Sequence, residues 1–144
     1  MASIEKEIVI NRPQQEVWDY ISSPNKLIEW QASAESFEWT SQEPYGVGST
    51  MLGVARLLGR RVESKSEITK WEPPSLYGLK QIGGPIPFEA TINLQRVESG
   101  TKLRVLGEIK IGGFFRIAEG LVLKQFDKEM DKNYLALKAL LEAG

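Results

Sequence analysis

The side chains able to move a proton in this chain are carboxylates, lysines and tyrosines, because it contains no histidine and no cysteine. Without histidine it lacks the usual neutral-pH acid/base and the usual nitrogen ligand for zinc, iron or copper. Without cysteine, thiolate chemistry and disulfides are excluded. Glu38, Glu89 and Glu108 fall mid-strand, each at a position whose parity points it outward. No two carboxylates show metal-ligand spacing, so neither a metal nor any other cofactor is expected. Arg56 and Arg104 are mid-strand guanidiniums that could take a carboxylate bidentately, with a solvated outer face as the alternative. Tyr77 and Gln81 share the parity of Leu79 and would bring polar groups into an apolar space if that face is internal, as a binding site requires; placement at an exposed edge is the alternative.

The element that must position these groups is the last one. Residues 114–143 read as one long helix. Ala118, Val122, Phe126, Met130, Leu137 and Leu141 recur at three- and four-residue steps, with Leu121, Asn133 and Leu140 beside them. Lys124, Asp127, Lys128, Asp131 and Lys138 fall on the other side, where Lys124/Asp127 and Lys128/Asp131 form i,i+3 pairs of opposite charge. So long an apolar stripe needs a broad surface to cover, and a sheet is the natural partner.

Upstream the chain reads as strands. Residues 3–11 alternate, with Ile4, Ile8 and Ile10 on one face and Glu5 and Glu7 on the other. Asn11-Arg12-Pro13 suits a helix start, and Val17, Trp18 and Ile21 give a short amphipathic helix. A second helical turn follows over 25–30, with Leu27, Ile28 and Trp30 as its apolar members. Strands are predicted over 34–41, 50–58, 61–71, 76–81, 88–95 and 102–111, separated by Gly- and Pro-rich turns. On the fourth strand Glu63, Lys65, Glu67 and Thr69 share one parity, which leaves Val62, Ser64, Ser66 and Ile68 inward. Two inward serines suit a cavity better than a packed core. The short connections make six strands a meander, with the first strand joining its far edge. The expected architecture is α+β: a curved seven-stranded antiparallel sheet wrapped around a long C-terminal helix, with two short helices after strand 1.

The 144 residues suit a single domain (1–144) able to bury a core without staples. A formal net charge of -1 gives no electrostatic case for nucleic acid. No apolar run approaches a membrane span, and the start has no signal-peptide pattern. With the lack of cysteine, this leads to the expectation of a cytoplasmic protein. No sequence feature fixes an oligomeric state.

The order of elements and several motifs resemble the START-like (SRPBCC) superfamily, with the helix-grip fold of the birch-pollen allergen, and within it the polyketide cyclase/dehydrase branch. The carriers are Ile8-Val9-Ile10-Asn11-Arg12-Pro13 running into Glu16-Val17-Trp18, then Trp30, 44–49 (PYGVGS), 58–61 (LGRR), 68–74 (ITKWEPP) and 137–143 (LKALLEA). The resemblance spans the whole chain, but these are mostly turn and scaffold residues. It implies a single START-like domain holding a small hydrophobic ligand, such as a lipid, polyketide or aromatic metabolite, between sheet and last helix. An alternative is a cyclase or dehydratase working by general acid/base catalysis, which would need a base and a donor for the enolate. Another is a protein-interaction module with no ligand.

On that resemblance the candidate ligand-binding residues are Trp30, Phe37, Trp39, Ser64, Ser66, Tyr77, Phe88, Ile92, Val105, Phe114, Phe115, Val122, Phe126 and Met130. Trp18 and Trp30 read first as core anchors closing one end, with aromatic ligand contact as the alternative. Phe114-Phe115 reads either as a gate over the pocket or as the helix's first core contacts.

Overall fold

A computed structural model describes residues 2–57, 59–84, 87–109 and 119–143. The elements follow in the order β1 (Ala2–Ile10), α1 (Gln14–Ile21), α2 (Pro24–Leu27), β2 (Ala34–Trp39), β3 (Thr50–Leu57), β4 (Arg60–Glu72), β5 (Leu76–Gly83), β6 (Phe88–Val97), β7 (Gly100–Ile109) and α3 (Glu119–Ala143). The strands form one seven-stranded antiparallel sheet ordered β1-β7-β6-β5-β4-β3-β2. Each hairpin partner is therefore a sequence neighbour, and β1 closes onto β7 at the far edge.

Alternation decides which face of each strand is covered. On β6 Ala90, Ile92 and Leu94 are buried while Glu89, Asn93 and Gln95 are exposed; on β7 Thr101, Leu103, Val105, Gly107 and Ile109 are buried. The sheet bends because the ladder slips between Lys65 and Ser66 and again between Ile68 and Lys70 on β4; such bulges increase local twist and curvature. Gly78 sits where the second slip brings the strands together, and a Cβ there would meet Thr69 Oγ1 at 2.8 Å and Lys70 Cβ at 2.9 Å.

The 25 residues of α3 span about 37 Å and lie across the concave face. Met130 and Leu137 are buried, and Leu123, Phe126, Tyr134, Ala136 and Leu141 pack against the core. Leu121 and Leu140, expected beside the apolar stripe, are exposed. Both lie at the edge of the helical arc the sheet can cover. Ile28, expected among the apolar members of the second short helix, is likewise exposed, because Leu27 and Trp30 already take the inward positions of that single turn.

The C-terminal end of α3 is fixed by polar ties to β1 and the turn after it. Arg12 donates from Nε to the Leu141 carbonyl (2.8 Å) and from Nη2 to the Glu142 carbonyl (3.2 Å), satisfying carbonyls the last helical turn leaves open. Lys138 Nζ reaches both the Val9 carbonyl and Glu142 Oε2, each at 2.7 Å, and the Asn11 N–H donates to the same carboxylate at 2.8 Å. Asn11 is thus engaged with the last helix and does not cap α1, whose N-cap residue is Pro13, with no side-chain cap. Nearer the middle, Lys6 contacts Asp127 at 2.6 Å and Asp131 at 2.9 Å. Those aspartates therefore pair across to β1 and not with Lys124 and Lys128, because one turn of helix sets both opposite a single ammonium.

Leu137 is fully buried, so Leu137→Ala should destabilise the protein by about 2–5 kcal/mol, read as a lowered urea midpoint. Lys138, then the Asn11 N–H, holds the Glu142 carboxyl below its ordinary value. A depressed folded-state value contributes stability above the unfolded-state value that is lost as pH falls through the folded one. Stability should therefore drop below about pH 4.5, and Glu142→Gln should flatten that part of the urea-midpoint profile.

Candidate functional site

Between the concave face of the sheet and α3 lies a cavity of about 250 Å³. Its floor comes from inward positions on β2 to β7: Phe37, Met51, Ala55, Val62, Ser64, Ser66, Tyr77, Leu79, Gln81, Phe88, Ala90, Ile92 and Val105. Its roof is Phe126, Glu129, Met130, Asn133 and Tyr134 from α3, and one end is closed by Ile21, Leu27 and Trp30 from the short helices and the segment after them. Gln31, Ser33 and Arg56 complete the border.

The void exists because small residues occupy positions that large ones would fill. Val62, Ser64 and Ser66 share the inward parity of β4, and Ala55 lies directly across from Val62. Gly53, paired with Phe37, makes room for that ring, which would overlap any Cβ at position 53. The roof stays up because α3 is tied to β1 and the turn after it through Lys6, Lys138 and Arg12, while Asn133 Oδ1 accepts the Ala32 N–H at 3.1 Å near the closed end.

Ten of the fourteen predicted residues border this space: Trp30, Phe37, Ser64, Ser66, Tyr77, Phe88, Ile92, Val105, Phe126 and Met130. Trp39 does not. It ends β2, stacks on Tyr45 with ring centres 4.1 Å apart and meets Trp71 edge-on at 6.2 Å. Trp71 in turn packs against Trp18 (5.2 Å) and Tyr77 (5.8 Å), so Trp18, Trp39 and Trp71 belong to an aromatic cluster with one edge, Tyr77, in the cavity. Phe114 and Phe115 lie outside the described residues, and the side chain of Val122 is likewise not described.

Of the two arginines, Arg104 is on the outer face, paired with Glu5, whereas Arg56 is on the cavity border and paired with Glu35 at 3.1 Å. Tyr77 and Gln81 take the inward alternative. The sequence reading leaves out Tyr134, although Phe126, Met130 and Tyr134 follow at successive four-residue steps, which is the helical signal that finds it. It also leaves out Glu129, a single carboxylate in the lining, since one step off an apolar stripe usually means solvent.

The Trp30 indole N–H is buried and unpaired, and its ring lies 5.4 Å from that of Tyr134. Burial pushes the pKa of Tyr77 and of Tyr134 well above the ordinary value for a phenol, so both are neutral donors at physiological pH. Among the described residues there is no group of three or more histidine, cysteine, aspartate or glutamate side chains able to hold a metal, and no helix is long and apolar enough to cross a membrane.

Raised folded-state pKa values mean that the two tyrosines contribute stability below the unfolded-state value that is lost as pH rises through the folded one. Stability should thus fall above about pH 10, and the Tyr77→Phe/Tyr134→Phe double variant should show a smaller loss in a urea-midpoint series from pH 8 to pH 11.

The sequence model of the family described as polyketide cyclase/dehydrase and lipid transport matches residues 1–142. An uncharacterized protein of Mycobacterium tuberculosis is 28% identical over 114 residues, covering 78% of each chain. Among solved structures, TTHA0849 of Thermus thermophilus superposes with a TM-score of 0.84 at 18% identity, covering 99% of this chain and 98% of that one. The Zhui aromatase/cyclase of Streptomyces sp. R1128 gives 0.78 at 12% identity, covering 98% and 93%. Ara h 8.0201 gives 0.74 at 12% identity, covering 99% of each chain. At these identities the likeness is one of fold, and it is the helix-grip fold.

Proposed function

Since this chain belongs to the polyketide cyclase/dehydrase and lipid transport family, we propose that it binds a small hydrophobic molecule in the cavity between the sheet and α3. The observation that carries this reading is the unfilled space of about 250 Å³ itself. Protein interiors pack as densely as organic crystals, and a domain with this many buried aromatics has the means to close such a void. Keeping it open forfeits dispersion contacts on every wall, which a bound apolar molecule restores. Burial of ligand surface supplies affinity at about 25 cal/mol per Å² before ordering costs, and the polar wall groups orient the ligand. The ligand-contacting residues in this reading are those that border the cavity, with Phe37, Phe88, Ile92, Val105, Phe126 and Met130 supplying apolar contact. A filled core would have favoured an interaction module, and the cavity removes that support. The absence of cysteine fits a cytoplasmic setting.

A second reading, a cyclase or dehydratase, is favoured by one observation: Glu129 shares the cavity lining with the neutral tyrosines Tyr77 and Tyr134. A carboxylate base plus phenol donors for a developing enolate is the minimum that such chemistry needs. In that case Glu129→Gln should remove turnover of a poly-β-keto thioester while leaving its binding within about two-fold, as expected for a group acting in the transition state alone.

Native mass spectrometry of the purified protein, before and after denaturing extraction, tests the binding reading; a co-purifying small molecule in stoichiometric amount is expected. Met130→Trp should fill the cavity and abolish binding while leaving the urea midpoint nearly unchanged. If the variant instead unfolds, the side chain sits in a packed core and the binding reading falls.

A further inference from the structure

Size, wall chemistry and unmet hydrogen bonds together narrow the kind of molecule the cavity takes. A cavity of about 150 Å³ lined by aliphatic and aromatic side chains is enough for benzene. One of about 250 Å³ therefore suits one or two fused rings and is too small to enclose a long acyl chain. Six of its walls are aromatic: Trp30, Phe37, Tyr77, Phe88, Phe126 and Tyr134. Flat rings meet flat rings in offset or edge-on contact, which adds to simple burial.

Two hydroxyls stand on these walls without protein partners. The Trp30 indole N–H also lacks a partner, but it is fully buried and does not face the open space. Tyr77 is 3% exposed, and neither its hydroxyl nor that of Tyr134 bonds to any described residue. Tyr77 belongs to the floor on β5, whereas Tyr134 and Trp30 are ring neighbours at the roof and closed end. A ligand without an acceptor would strip water from these hydroxyls and return no hydrogen bond, whereas a ligand acceptor placed between them replaces the lost one. The charged groups on the border add a second selection. Arg56 is held by Glu35, whereas Glu129 has no ion pair among the described residues, so the border disfavours an anionic ligand.

We propose that the ligand is a neutral molecule of one or two fused aromatic rings carrying a carbonyl or similar hydrogen-bond acceptor, received by Tyr77 and Tyr134, and that long-chain fatty acids are rejected. This rests on the binding reading above and specifies it.

The test is a calorimetric titration of the protein with three probes: 2-acetylnaphthalene, its acceptor-free analogue 2-isopropylnaphthalene, and palmitate. The acetyl compound should bind about ten-fold more tightly than its analogue, and Tyr77→Phe and Tyr134→Phe should each lower that preference by roughly two- to ten-fold. Palmitate should neither bind nor compete. Equal binding of both naphthalenes would overturn the acceptor inference and leave the cavity reading standing. Palmitate binding more tightly than either would overturn the ligand class. Binding of none of the three would remove the inference together with the reading it rests on.

Discussion

The structure depends on how α3 is held over the sheet. A helix that packed on the concave face through a continuous apolar stripe would draw down onto it and leave no void. Here the burial of Met130 and Leu137 supplies the driving force, while polar ties to β1 and the turn after it set where the helix lies. Lys6 bridges Asp127 and Asp131, Lys138 takes the Val9 carbonyl, and Arg12 closes the last helical turn. At half-exposed positions such ion pairs contribute about 0–1 kcal/mol each. Their importance is directional: charge-assisted contacts fix register and height where apolar contact would accept a range of positions.

The curvature of the sheet is the other half of the same constraint. Two ladder slips on β4 and the glycine at position 78 let the central strands bend. The bend brings Tyr77 on β5 under α3, together with the inward serines of β4. The same backbone irregularities thus shape the container and aim its polar groups. The aromatic cluster of Trp18, Trp39 and Trp71 makes one end rigid without entering the void, and Tyr77 is shared between cluster and cavity. A ligand contacting Tyr77 therefore touches a side chain that its neighbours already hold in place, which lowers the ordering cost of binding.

Of the chemistry, the sequence restricts more than it assigns. Lack of histidine and cysteine leaves oxygen acids, phenols and amines. The fold then sorts these: Glu38, Glu89 and Glu108 are exposed on the outer parity, whereas Glu129, one helical position from Met130, borders the cavity. The two arginines, equivalent as sequence, part in the same way, with Arg104 outside and Arg56 on the border.

What the sequence by itself determined was the order of elements, the meander, the inward parity of Ser64, Ser66, Phe88 and Ile92, and the covering role of the last helix. These follow from short-range periodicity and turn chemistry, which a linear sequence displays directly. It also carried the signal for Tyr134, at a four-residue step from Met130. Only the tertiary structure decided that Trp39 stacks on Tyr45 and not in the cavity, that Asp127 and Asp131 turn to Lys6, and that Leu121 and Leu140 stay in water. Each of these depends on the angle and height at which two elements meet, set by bulges and long-range polar contacts between residues a hundred or more positions apart. The same holds for the void, because its volume is the small difference between the span of a bent sheet and the bulk of the side chains beneath the helix. No local pattern records that difference.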